Sequence, residues 1–120
     1  MPSILAVDDS ASMRQMIVHT LKGAGHDVTE AGDGEDALGK AKSKQFDLVV
    51  TDINMPKMDG IALIKELRAL ANYKGTPILT LTTEASADKK SEGKAAGATG
   101  WIVKPFDPDT LLSTIGKVLK

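Results

Sequence analysis

Five short apolar runs punctuate the chain: Ile4 to Val7, Val28 to Ala31, Leu48 to Thr51, Ile78 to Leu81 and Trp101 to Val103. Each is too short for a helix and mostly β-branched or aliphatic, as strands buried on both faces are. Between them, apolar residues recur at helical spacing in Met13, Met16, Ile17 and Leu21, in Ala37, Leu38 and Ala41, in Leu63, Ile64, Leu67 and Leu70, and in Leu111, Leu112, Ile115, Val118 and Leu119. Strand and helix in strict alternation predict an α/β fold, a five-stranded parallel sheet covered by helices on both faces. The second run is the most polar and is expected at an edge. The first helix is expected to stop near Gly23 and Gly25, where glycine takes a left-handed cap. The segment from Ser86 to Ala96 supplies a fourth helix, but all its apolar residues are alanine. Its interior Gly93 costs about 1 kcal/mol relative to alanine, so this helix is predicted to be the least firmly held and a candidate moving part.

A chain of 120 residues without repeats or a Pro/Gly/Ser-rich linker reads as one domain, 1–120. Four aromatic residues in all leave an aliphatic core as the expectation. Fifteen Lys and Arg against sixteen Asp and Glu give a net charge of -1, which lacks the basic footprint that nucleic acid requires. The absence of cysteine excludes disulfides, thiolate zinc sites and cysteine nucleophiles, and it fits the reducing cytoplasm. Aliphatic stretches of about four residues fall far short of the roughly 18 that span a bilayer, and Asp8 and Asp9 interrupt the segment where a signal peptide is apolar. A protein neither exported nor inserted in a membrane is expected. If the domain ends with the fifth helix, its output is expected through surface recognition by another molecule.

In open α/β sheets ligands bind beyond the carboxyl ends of the strands. Asp8 and Asp9 follow the first run, Asp52 closes the third, Thr82 and Thr83 follow the fourth, and Lys104 with Pro105 follows the fifth. Any one of these residues is ordinary in a turn or helix cap, and Ser10 or Asp9 serves equally as a cap for the first helix. As a set at one sheet edge they form a site. Three carboxylates carry -3, which Lys104 reduces only to -2, so the cluster calls for a cation. Oxygen-only ligands select a hard ion, Mg²⁺ above all.

Other motifs fit less well. Gly32-Asp33-Gly34-Glu35-Asp36-Ala37 has the spacing of a dinucleotide fingerprint, but Asp33, Glu35 and Asp36 would oppose a pyrophosphate. A flavin mononucleotide site after the first strand meets the same objection in Asp8 and Asp9. Reading Asp52 as the start of a calcium loop puts Pro56, Lys57 and Leu63 where an EF-hand needs a ligand, glycine and glutamate. His19 and His26 lack close metal-binding partners. What remains is carboxylate chemistry on magnesium: an aspartate is a nucleophile toward phosphorus when a metal, a cation and hydroxyl donors meet the developing charge.

Ile4-Leu5-Ala6-Val7-Asp8-Asp9-Ser10 followed by Arg14, Val49-Val50-Thr51-Asp52-Ile53-Asn54-Met55-Pro56-Lys57-Met58-Asp59-Gly60, and Gly97-Ala98-Thr99-Gly100-Trp101-Ile102-Val103-Lys104-Pro105-Phe106 resemble the three signature stretches of the receiver domain of bacterial two-component signalling. The resemblance runs over the whole chain. It implies a doubly wound, flavodoxin-like sheet of order 2-1-3-4-5 with five helices, an order for which the fold's known members are the source. It implies that Asp52 accepts a phosphoryl group, that Asp8, Asp9, Asp52 and the backbone carbonyl of Asn54 hold Mg²⁺, and that Thr82 and Lys104 receive the phosphoryl oxygens. It further implies a cis Lys104–Pro105 bond, and it places Asn54 and Glu84 beside the path of the hydrolytic water. The donor implied is a histidine kinase (CheA-like) or a phosphotransfer protein. Thr82 and Trp101 take the switch positions, Trp101 replacing the family's usual Tyr or Phe, and Thr83 stands where a smaller residue is common.

The features most resemble the family's chemotaxis regulators, which implies a cytoplasmic monomer. Its output surface would be helix four, strand five and helix five, directed to a flagellar motor switch protein or another downstream protein. A stand-alone receiver in another phosphorelay, or one acting as a phosphate sink, is the alternative. An aspartyl-phosphate hydrolase is a third reading, but such enzymes commonly place a general-acid aspartate two residues after the nucleophile, where this chain has Asn54. A switch that loses its phosphoryl group by self-dephosphorylation, rather than a multiple-turnover enzyme, is therefore expected.

Overall fold

The alternation resolves into five strands and five α-helices taken in turn. They are β1 (Ser3–Val7), α1 (Ala11–Gly23), β2 (Asp27–Ala31), α2 (Gly34–Ser43), β3 (Leu48–Asp52), α3 (Gly60–Ala69), β4 (Ile78–Thr82), α4 (Ala87–Ala96), β5 (Gly100–Val103) and α5 (Pro108–Val118), with a 3-10 turn at Ala71–Tyr73. The computed structural model describes residues 2–53, 55, 58–82, 87–103 and 107–119, with the backbone alone for Thr82 and 87–90. All strand pairs are parallel, in the order β2-β1-β3-β4-β5. The polar second strand is an edge, as its composition predicts.

Alternate residues of each central strand feed two separate cores. Ile4, Ala6, Leu48, Val50, Leu79 and Leu81 face Ile17, Val18 and Leu21 of α1 and Leu111 and Ile115 of α5. Leu5, Val7, Val49 and Ile78 face Ala37 and Ala41 of α2, Leu63, Ile64 and Leu67 of α3, and Ala96 of α4. A sheet covered on both faces has no polar side on which alternation could show, which explains the continuous apolar runs.

The helices start where short polar side chains accept the first free amides. Ser10, Asp33, Asp59 and Asp107 cap α1, α2, α3 and α5 through the amides of Met13, Asp36, Ala62 and Thr110. Helix α1 ends at Gly23, and Gly25 follows at φ 90°, so the predicted glycine stop is present. Asp33 thus caps a helix, and Gly34 is needed for packing: a Cβ there would lie 2.3 Å from the carbonyl oxygen of Met58. The cap and that packing account for Asp33 and Gly34 in the run that mimics a dinucleotide fingerprint.

The structure departs from the sequence reading in a few places. Thr82 is the last residue of β4 rather than the first after it. The aromatic share of the core is larger than expected, because Phe46 and Tyr73 are both completely buried. The Tyr73 hydroxyl accepts the Phe46 N–H at 3.1 Å and lies 2.9 Å from the Ala41 carbonyl and 2.7 Å from that of Lys44. Burial pushes this phenol's pKa above its ordinary value.

Over its described side chains, Ser91 to Ala96, helix α4 buries only Gly93 and Ala96. Its carboxyl end is nevertheless anchored. Arg68 of α3 donates to the Gly97 carbonyl through Nε at 3.0 Å and Nη2 at 2.8 Å, and through Nη1 to the carbonyls of Tyr73 at 2.6 Å and Thr76 at 2.7 Å. Burial draws the pKa of this guanidinium below its usual value.

Candidate functional site

The parallel register brings the carboxyl ends of β1, β3 and β4 to one edge, with Val7 beside Thr51 and Asp52 beside Leu81. Asp8 is completely buried and Asp52 is 8% exposed, whereas Asp9 is exposed. One carboxylate oxygen from each of the three lies within 4.8 Å of the others. Two buried carboxylates in such proximity are costly: at an effective dielectric of about 20, unit charges about 4 Å apart interact by about 4 kcal/mol. Both buried groups have fixed donors. Asp8 Oδ1 accepts the Ser10 N–H at 2.9 Å, and Asp52 Oδ1 accepts the Ile53 N–H at 2.9 Å.

A hard divalent cation fits this donor set. Octahedral Mg²⁺ places adjacent oxygens about 3 Å apart and opposite ones about 4 Å apart, so a small contraction of the cluster suffices to bind it. His19 is exposed and His26 lies in the turn after α1; among the described residues, neither belongs to a metal-binding group.

Gly60 sets how closely α3 approaches the site. A Cβ at this position would lie 2.2 Å from the Asp52 carbonyl oxygen and 2.8 Å from Ile53 Cα, and the Gly60 N–H donates to the Ile53 carbonyl at 2.8 Å. Only glycine lets the chain leave β3 and return to its end within so few residues. Asp59, read from sequence as a turn residue, is the cap of α3 and lies outside the carboxylate cluster.

The third side of the edge is described in backbone. Thr82 pairs with Val103, at the carboxyl ends of β4 and β5. Asn54, Thr83, Glu84, Lys104 and the Lys104–Pro105 bond fall outside the described residues. Trp101 on β5 pairs with Thr80, is 43% exposed, and borders a small pocket formed with Thr80, Lys94, Ala98, Thr99 and Gly100.

Spacing gave no indication of Arg14's role. Its guanidinium reaches from the first turns of α1 to the Asp8 carbonyl at 2.7 Å and to Glu30 of β2 at 3.1 Å. Arg68 was also missed, because a cation whose partners are backbone carbonyls has no complementary residue to find in the sequence.

A doubly wound sheet of this order with three aspartates gathered at its carboxyl edge defines a class, and the comparison with known families agrees. Residues 4–116 match the response regulator receiver domain, and the chain belongs to that family. Among its relatives, it is 43% identical over 118 residues to the chemotaxis protein CheY-3 of Vibrio cholerae, covering 98% of this chain and 91% of that one. It is 42% identical to the chemotaxis protein CheY of Pseudomonas aeruginosa, covering 98% and 95%. Among solved structures, chemotaxis protein CheY4 of Vibrio cholerae superposes with a TM-score of 0.96 at 56% identity, covering 98% of both chains. The receiver domain of a sensor histidine kinase of Pseudomonas aeruginosa, solved with a magnesium ion coordinated in its active-site cleft, superposes at 0.92 with 28% identity, covering 98% and 97%. No helix among the described residues is long and apolar enough to cross a membrane.

Proposed function

We propose that the chain is a phosphorylation-activated switch in which Asp52 takes a phosphoryl group from a histidine kinase or phosphotransfer protein. The observation that carries this reading is the gathering of three carboxylate oxygens within 4.8 Å, with Asp52 itself buried at a strand end. Asp8, Asp9 and Asp52, with the Asn54 carbonyl, would hold Mg²⁺, which neutralises the carboxylates and the transferring oxygens. An Asp52 oxygen attacks phosphorus, the bond from phosphorus to the donor's imidazole nitrogen breaks, and the imidazole leaves with that electron pair and takes up a proton. The product is an acyl phosphate, whose charge Thr82 and Lys104 meet. Water later attacks the same phosphorus, the bond to the Asp52 oxygen breaks, and the carboxylate returns with inorganic phosphate. Asn54 and Glu84 border the path of that water.

The bound phosphoryl group then draws Thr82 toward itself and biases α4, β5 and α5 toward a second arrangement. Helix α4 can yield because its described side chains, 91–96, bury only Gly93 and Ala96, and Trp101 reports the change from its position on β5. Chemotaxis, with a CheA-like kinase as donor and a flagellar motor switch protein as target, is the reading that the names of the relatives support. The chain acts as a cytoplasmic monomer of one domain, 1–120, that is phosphorylated once per cycle rather than an enzyme of multiple turnover.

Two measurements test this. Trp101 fluorescence should change on adding Mg²⁺ with a small phosphodonor, and should not change in Asp52→Ala. An unchanged spectrum after stoichiometric phosphorylation removes Trp101 from the switch. Transfer rates from a panel of phosphorylated host kinases should be highest for the chemotaxis kinase; a faster partner elsewhere reassigns the pathway, and repeated turnover of a phosphomonoester would make the chain a hydrolase.

A further inference from the structure

Asp8, the most buried of the three carboxylates, sits in a turn that is tied from two sides. Its N–H donates to the Ala31 carbonyl of β2 at 3.2 Å, and its own carbonyl accepts from Arg14 Nη1 at 2.7 Å. Arg14 does not float free in making that bond. Its Nε donates to Glu30 Oε1 at 3.1 Å, and Gln15 Nε2 donates to the same oxygen at 3.2 Å. The Arg14 side chain is only 21% exposed. The planar fork of a guanidinium can serve a carbonyl and a carboxylate together in fixed geometry, which a lysine ammonium cannot reproduce.

We propose that Arg14, steadied by Glu30, is a positioning residue of the cation site: it holds the Asp8 carbonyl and thereby the turn that presents the Asp8 and Asp9 carboxylates. This rests on reading the carboxylate cluster as a Mg²⁺ site. It differs from a simple charge effect, and Arg14→Gln and Arg14→Lys separate the two. Relative to the parent, Arg14→Lys leaves net charge unchanged, Arg14→Gln lowers it by one and Glu30→Gln raises it by one. Acting through charge alone, Arg14→Gln would bind a cation more tightly, Glu30→Gln more weakly and Arg14→Lys no differently. Acting through position, all three bind more weakly, because each breaks the same brace.

The experiment measures Mg²⁺ and Mn²⁺ dissociation constants by calorimetry on the unphosphorylated protein, together with hydrogen exchange at the Ser10 amide in metal-free protein. That amide is bonded to Asp8 Oδ1, so it reports the turn without any metal. Positioning predicts about tenfold weaker binding in each variant, the usual scale for the supports of metal ligands, and faster exchange at Ser10. Tighter binding by Arg14→Gln, or an unchanged constant and unchanged Ser10 exchange in Arg14→Lys, overturns it. Should Arg14→Gln fail to fold, Arg14→Lys still decides, because charge alone predicts no change for it. If Asp52→Asn binds the cation as tightly as the parent, the metal-site reading itself fails, and Ser10 exchange still scores the brace separately.

Discussion

Replacing Asp52 by asparagine should stabilise the metal-free protein. The substitution keeps the size of the side chain and an oxygen to accept the Ile53 amide, but removes one charge from beside Asp8. For two buried carboxylates with oxygens within 4.8 Å of each other, an effective dielectric of about 20 puts the repulsion relieved at about 3.5 kcal/mol or more. The hydrogen bond from Ile53 loses its charge assistance, which costs about 1 kcal/mol. These two effects together favour the variant by about 2.5 kcal/mol. With an unfolding entropy of about 2.1 cal/mol/K per residue, this raises the melting temperature by about 10 °C. The assay is thermal unfolding followed by circular dichroism, in EDTA and again in Mg²⁺. At a hundredfold excess over its dissociation constant, Mg²⁺ adds about 2.7 kcal/mol to the parent and much less to the variant, so the gap should close in metal. A metal-free variant no more stable than its parent would refute the claim that the cluster is held together against its own repulsion.

Tyr73→Phe leaves the Phe46 amide without its acceptor and should cost about 1–3 kcal/mol in urea unfolding, with cation affinity unchanged. Asp107→Asn tests the pH dependence of α5. The Thr110 amide lowers the Asp107 carboxyl below its ordinary value in the folded chain, so its contribution is present above pH 3.8 and is lost as pH falls through the folded value. The urea midpoint of the variant should accordingly fall less than the parent's between neutral pH and pH about 2.5. Gly60→Ala forces a Cβ to within 2.2 Å of the Asp52 carbonyl and should weaken Mg²⁺ binding as well as stability, whereas Gly39→Ala, inside α2 with open space around it, should leave Mg²⁺ binding unchanged and raise stability by about 1 kcal/mol.

The strands and helices were legible because a doubly covered sheet makes each strand a continuous apolar run, and each surface helix shows one apolar stripe. The edge position of β2 was readable from its being the most polar of the five runs, with Thr29 and Glu30 only partly buried. The gathering of Asp8, Asp9 and Asp52 followed from the rule that parallel strands end together at one edge. What the sequence did not reveal are contacts made by backbone. Arg14 on the Asp8 carbonyl, Arg68 on Gly97 and Tyr73 on Ala41 and Lys44 involve acceptors that every residue carries, so no partner stands out. Gly34 was misleading in the opposite way. Its requirement is steric exclusion by Met58, and the resulting glycine pattern imitates a phosphate-binding loop.

The central claim is that Asp52 accepts a phosphoryl group with the help of a cation held by its neighbours. It is tested most directly by incubating the protein with a small phosphodonor in Mg²⁺, trapping the acyl phosphate by borohydride reduction, and mapping the modified peptide by mass spectrometry. The account predicts a single modification at Asp52, absent in EDTA and in Asp52→Ala and greatly slowed in Asp9→Ala. Modification at any other residue, or at Asp52 with an undiminished rate in EDTA, would contradict it.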